Sequence, residues 1–133
     1  MSERIRSSAR TTIDPAAHVM TLVNVFTVEP ANQQRLIDLL VEATEHTMKR
    51  LSGFVSANIH RSADGTKVIN YAQWRSAQDF DAMRQHPEAA RHMQEASSLA
   101  KVDPIVCEVV ASMTAAEPDL EGGQATSRAA TGR

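Results

Sequence analysis

The sequence predicts an α+β fold with the element order β-α-β-β-α-β. Three observations predict it. Apolar residues alternate with period two in four segments, they recur at helical spacing in the stretches between, and the two central strands are joined by an Asp64-Gly65 turn. This order is the ferredoxin-like arrangement, an antiparallel sheet with both helices on one face.

The first strand is expected from Val19 to Val28, with Leu22, Asn24 and Phe26 on one side and Thr21, Val23, Val25 and Thr27 on the other. Pro30 suits a helix start. After it Leu36, Ile37, Leu40, Val41, Thr44, Thr47, Met48 and Leu51 fall on one helical face, which predicts a single amphipathic helix ending near Gly53. In the hairpin that follows, a three-residue loop, Ala63 to Gly65, uses glycine for the left-handed position. That loop sets Asn58 opposite Asn70. It also places Phe54, Ser56, Asn58 and His60 on one face with Val68, Asn70, Ala72 and Trp74, and leaves Val55, Ala57, Ile59, Ile69 and Tyr71 on the other. Ser76-Ala-Gln-Asp79 resembles a capping box and starts a second helix through Phe80 and Met83. Pro87 breaks or kinks that helix and restarts it from His86, after which Ala90, Met93, Ala96 and Ala100 share a face. The last strand is expected over Pro104 to Met113.

Composition narrows the function. At 133 residues, 42% hydrophobic and 23% charged, the chain fits one ordinary soluble domain, and a formal charge of −2 gives no basic footprint for nucleic acid or an anionic membrane. No apolar run approaches the roughly 18 residues of a membrane span, and the arginine-containing start lacks the apolar core of a leader. Cys107 stands alone, which excludes an internal disulfide framework and suits a small buried hydrophobe in a reducing cytoplasm. Ser, Arg and Thr dominate residues 1–18, and residues 114–133 hold one large apolar side chain, Leu120. Both read as flexible extensions of a domain over 19–113.

Val23-Asn-Val-Phe-Thr27, Gly53-Phe54, Asp64-Gly65-Thr66 and above all Asn70-Tyr-Ala-Gln-Trp74, followed by Ser76 and Phe80, resemble the antibiotic biosynthesis monooxygenase family over roughly 19 to 112. The resemblance implies a dimeric α+β barrel in which two such sheets pack face to face, each subunit keeping a cavity between its sheet and its helices. It implies oxidation of an anthrone-type phenol to a quinone with O2 and with no metal, flavin or haem cofactor. The family's strand asparagine and tryptophan fall on Asn70 and Trp74, as groups that hold the carbonyl and phenolic oxygens of an aromatic substrate. A tyrosine that some members carry early in the second helix falls on Phe80, so a phenolic proton relay is absent there, and His92 is the candidate general base in its place. Neutral amide and indole donors suit this chemistry, because a phenol that passes an electron to O2 must first become an oxyanion. Asn24, Phe26, Asn58, Phe80, Met83, Arg91 and Met93 complete the expected substrate-binding set.

Each residue also has a plain structural reading. Trp74 serves equally as a core aromatic, Asn58 with Asn70 as a self-satisfying amide pair, Met83 and Met93 as core, and Arg84 with Arg91 as a solvated face. His18, His46, His60 and His86 fit solvated or capping roles. No His-x-x-x-His or Glu-x-x-His pair, nucleophile elbow or glycine-rich phosphate loop is present. Two alternatives stay open. One is haem degradation on the same fold, with His92 as iron ligand; the other is a non-catalytic dimeric stress or pathway scaffold.

Overall fold

A computed structural model describes residues 9–117. Its elements are β1 (Met20–Val28), α1 (Gln33–His46), β2 (Phe54–Arg61), β3 (Lys67–Trp74), α2 (Ala77–Gln85), α3 (Pro87–Leu99) and β4 (Ala100–Cys107), with short 3-10 turns at Pro15–Ala17, Pro30–Asn32 and Met48–Arg50. The strands form one antiparallel sheet in the order β2-β3-β1-β4, the ferredoxin-like arrangement.

The inner face carries Leu22, Phe26, Val28, Val68 and Ala72 against the helices. Leu36 of α1 and Val68 of β3 are fully enclosed, each contributing about 1.5–3 kcal/mol by leaving water. One buried cluster joins Phe26, Val28, Leu36, Ile37, Val68 and Ala96, and a second joins Trp74, Met83 and Ala89.

Local chemistry sets the joints. Ser76 caps α2 by accepting from the Asp79 N–H at 3.1 Å, and its hydroxyl donates to the Asp79 carboxylate at 3.0 Å. His86 ends α2 and caps α3 by accepting from the Glu88 N–H, which lets Pro87 occupy the first position of the new helix. Gly53, at φ 83°, runs so close to this corner that a Cβ there would lie 2.3 Å from the Asp79 Cβ.

Three elements differ from the sequence expectation. The first helix does not continue to Gly53: Thr47, at φ −128° and ψ −63°, leaves the helical region, and α1 gives way to the Met48–Arg50 turn. The last strand begins at Ala100, four residues before Pro104, and ends at Cys107. Proline is tolerated inside it because β4 is an edge strand, where a missing N–H can face solvent.

The hairpin is the third difference. Ser62 N–H donates to the Lys67 carbonyl, so Ala63 to Thr66 form a four-residue loop. The extra residue is held by Asp64, whose carboxylate accepts from the Thr66 N–H and hydroxyl and from the Ser62 hydroxyl. These bonds, the Thr66 N–H foremost, lower the Asp64 pKa from 3.8 to about 2. Asn58 therefore pairs with Tyr71 and Ile59 with Asn70, which turns Ala57 and Ile59 towards the helices. A bulge between Phe54 and Ser56 restores the original phase, and Phe54 pairs with Trp74.

Residues 9–18, the described end of the expected N-terminal extension, lie on the sheet's outer face. Thr11 donates to the Asn58 side-chain oxygen at 2.6 Å, and Gln73 donates to the Thr12 carbonyl at 3.0 Å. The expected tail from 114 lies, beyond 117, outside the described residues.

Candidate functional site

A cavity of about 210 Å³ opens between the inner face of the sheet and the three helices. Leu22, Asn24 and Phe26 of β1, Asn70, Ala72 and Trp74 of β3, and Phe54 and Ala57 of β2 form its floor. Leu40, Met48, Phe80, Met83 and Met93 close it from above, and Val102 and Pro104 bound it on the β4 side. Its surface is mainly apolar. Polar groups enter at few points: Asn24 and Asn70 on the sheet, Thr44, His92 and Ser97 on the helices, and Arg84 at the exposed rim.

Asn24 and Asn70 are directly opposite each other across β1 and β3. The Asn70 side-chain oxygen accepts from the Asn58 backbone N–H at 3.2 Å. A backbone N–H can be accepted only by the oxygen end of the amide, so the Asn70 NH2 group is the end left for a ligand. Trp74, 3% exposed, stands edge-on to Phe54 at a centroid distance of 5.5 Å and lies 6.3 Å from Phe80. Among the described residues no hydrogen bond engages its indole N–H or the Asn24 side chain. The floor thus offers hydrogen-bonding groups to an incoming oxygen from two amides and an indole, within apolar walls.

His92 sits on α3 with its side chain mostly buried, and its Nε2 is 3.1 Å from the Thr47 hydroxyl. Nδ1 faces the Glu95 carboxylate at 3.7 Å. The break of α1 at Thr47 makes this contact, since it brings a buried hydroxyl to the ring. Both ring nitrogens thus have a neighbour in the fold, the Thr47 hydroxyl on one side and the Glu95 carboxylate on the other. Among the described residues no three His, Cys, Asp or Glu side chains converge as a metal-binding group.

Of the residues picked out from sequence, Asn24, Phe26, Asn70, Trp74, Phe80, Met83, His92 and Met93 come together around the cavity. Two do not. Asn58 is corrected to the outer face, because the four-residue loop shifts the register by one, and there its amide bonds Thr11, Ser56 and the Tyr71 carbonyl. Arg91 is corrected to the helix surface, where it pairs with Glu88 at 3.0 Å. Its place at the cavity is taken by Arg84, whose guanidinium lies 5.6 Å from the Phe80 ring centre. The signal for Arg84 was its position four residues after Phe80, on the same helical face. Ala57 became a wall residue through the longer loop, which a two-residue period cannot report, while the bulge after Phe54 keeps Phe54 on the face expected from sequence.

The model of the family described as antibiotic biosynthesis monooxygenase matches residues 19–95. The chain belongs to that family. Within the antibiotic biosynthesis monooxygenases it is similar to tetracenomycin-F1 monooxygenase of Streptomyces glaucescens, 46% identical over 108 residues that cover 81% of this chain and 96% of that protein. It is also similar in structure to a monooxygenase from the gene ActVA-Orf6 of Streptomyces coelicolor, solved in complex with nanaomycin D. That likeness has a TM-score of 0.69 at 28% identity and covers 76% of this chain and 96% of the other. SnoaB, a cofactor-independent oxygenase from Streptomyces nogalater, shares the fold, with a TM-score of 0.58 at 24% identity over 74% of this chain and 98% of its own.

Proposed function

We propose that the chain is a monooxygenase that oxidises an anthrone-type phenolic polycycle of a polyketide pathway to a quinone with O2, using no metal or flavin. The observation that carries this reading is the shared wall formed by Asn70 and Trp74 in an apolar cavity, on a chain 46% identical to tetracenomycin-F1 monooxygenase. The reaction balances without a further reductant. The ring methylene loses a proton, the carbanion passes an electron to O2, and the radical pair joins as a carbon-bound peroxide. Loss of water then leaves a carbonyl, so one oxygen atom is kept and the other departs as water.

The protein's part is to make the first step easy and the rest dry. On this reading the Asn70 NH2 and the Trp74 N–H stabilise the substrate's carbonyl and phenolic oxygens as negative charge develops on them, and in an apolar cavity such donors act at more than their strength in water. Phe26, Met83 and Met93 hold the rings and exclude water. His92 is the candidate for accepting the proton, with the Thr47 hydroxyl holding its ring. The protein acts in the cytoplasm on this reading, in keeping with one free thiol, Cys107. No helix among the described residues is long and apolar enough to cross a membrane.

The test is O2 uptake with an anthrone and no added cofactor. Wild type is expected to consume O2 and release the quinone, and Asn70→Ala to lower kcat/KM by about tenfold or more, the effect of losing one transition-state donor. Equal rates in the two proteins would place the reaction elsewhere.

A further inference from the structure

Arg84 is the one permanently charged side chain among the residues that line the cavity; the other polar linings are amides, hydroxyls and an imidazole. It sits at the rim on α2, one turn after Phe80, and its guanidinium lies over that ring at 5.6 Å. Phe80 in turn is 6.3 Å from Trp74. A cation held over an aromatic face keeps its edge available for planar hydrogen bonding. The neighbour that now occupies that edge is Asp81, at 3.3 Å through a single nitrogen, with the Asp81 side chain 66% exposed and that of Arg84 54% exposed. An exposed pair of this kind is weak and exchanges readily for a better-placed anion.

The cavity is small beside the roughly 300–1,000 Å³ of pockets that enclose whole drug-sized ligands. A polycycle whose reacting ring reaches Asn70 and Trp74 therefore has its far end near the rim, where Arg84 stands. We propose that Arg84 is a specificity-determining residue that selects polycyclic substrates bearing a carboxylate on the ring remote from the reacting carbon. This rests on the proposed function for the identity of the ring system, and adds to it the charge of the substrate. A guanidinium meets a carboxylate through two parallel N–H bonds, a geometry that an uncharged ring substituent cannot use.

Trp74 is the chain's one tryptophan and lies in the cavity wall, so its fluorescence reports binding without turnover. The probes are anthraquinone-2-carboxylate and unsubstituted anthraquinone, titrated against the full chain. Wild type is expected to bind the acid about tenfold tighter than the parent quinone, the worth of one partly exposed charge-assisted contact. In Arg84→Gln the ratio of the two dissociation constants should fall to near one, Arg84→Lys should keep part of it, and Asp81→Asn, which removes the competing carboxylate, should raise it. Equal affinity for the two quinones in wild type, or an undiminished ratio in Arg84→Gln, would overturn the assignment. The outcome is separable from that of the O2 assay. A preference lost with Arg84 supports this role even if no phenol is oxidised, whereas turnover without any preference removes the Arg84 role and leaves the oxidation standing.

Discussion

A side-chain amide has one donor end and one acceptor end, and which end faces a ligand decides what it can stabilise. At Asn70 the Asn58 N–H claims the oxygen, so the donor end is left for an oxyanion. Replacing Asn70 by Asp removes that choice. It brings a carboxylate where negative charge must develop, and the expected loss of kcat/KM exceeds that of Asn70→Ala in the same O2 assay. Trp74→Phe is expected to fold normally and lose about tenfold in kcat/KM, because it keeps the ring contacts with Phe54 and Phe80 but not the N–H. If His92 takes the proton, His92→Ala is expected to lower kcat/KM about a hundredfold or more in the same O2 assay. A variant that keeps the wild-type rate would assign the site to orientation and exclusion of water alone. The Thr21 hydroxyl, buried on the outer face, has no hydrogen-bond partner among the described residues. Thr21→Val is therefore expected to stabilise the fold by about 1 kcal/mol in denaturant unfolding, since it removes an unpaired polar group at constant shape. The residues that alternation alone could place, Asn24, Phe26, Asn70 and Trp74, were legible in the sequence. Thr47 was not, because its part depends on a helix ending one residue before it.

At the scale of elements, the hairpin shows what a periodic pattern can and cannot specify. The pattern identifies both strands and the glycine of the turn, and Gly65 does take a left-handed conformation, at φ 83°. Register depends on loop length, and loop length depends on Asp64 gathering Ser62 and Thr66 around its carboxylate. One added residue exchanges the faces of Asn58 and Ile59, which is why an asparagine expected in the cavity lies outside it. The same carboxylate carries a pH prediction. Its pKa is lowered in the fold to about 2 from 3.8, so its stabilisation is complete above the unfolded value and is lost as pH falls through the interval between the two. Denaturant midpoints measured from pH 5 to pH 2 should fall less for Asp64→Asn than for wild type; parallel curves would show that the loop does not depend on that charge. Gly53 sets the other end of β2. With φ 83° and Asp79 where a Cβ would go, Gly53→Ala is expected to cost about 2 kcal/mol or more by both strain and displacement of the α2 cap.

On the whole molecule, the helices cover one face of the sheet and leave the other to be covered by something else. The outer face anticipated from sequence included Val55, Ala57 and Ile59. With the register corrected, the row across the sheet is Asn58, Tyr71, Val23 and Ile105, and the next is His60, Ile69, Val25 and Asp103. The apolar part has moved from β2 towards the centre, where Val23, Val25, Ile69 and Tyr71 are only half-buried and Ile105 is 43% exposed. Residues 9–18 do not cover all of it, since their bonds reach Asn58 and Gln73, to one side of Val25 and Ile69. A contiguous apolar patch of this kind on a sheet is rarely left in water. A second copy supplies the same patch by two-fold symmetry, with sheet against sheet, and the Asn58 and Asp103 ends at the polar rim. We therefore expect a homodimer. Sedimentation velocity at micromolar concentration should give the mass of two chains, and Ile69→Lys, which puts an ammonium at the middle of the patch without touching the cavity side, should shift the protein to one. A wild type that sediments as a single chain at that concentration would refute the dimer, while Ile69→Lys remaining dimeric would move the interface to another surface.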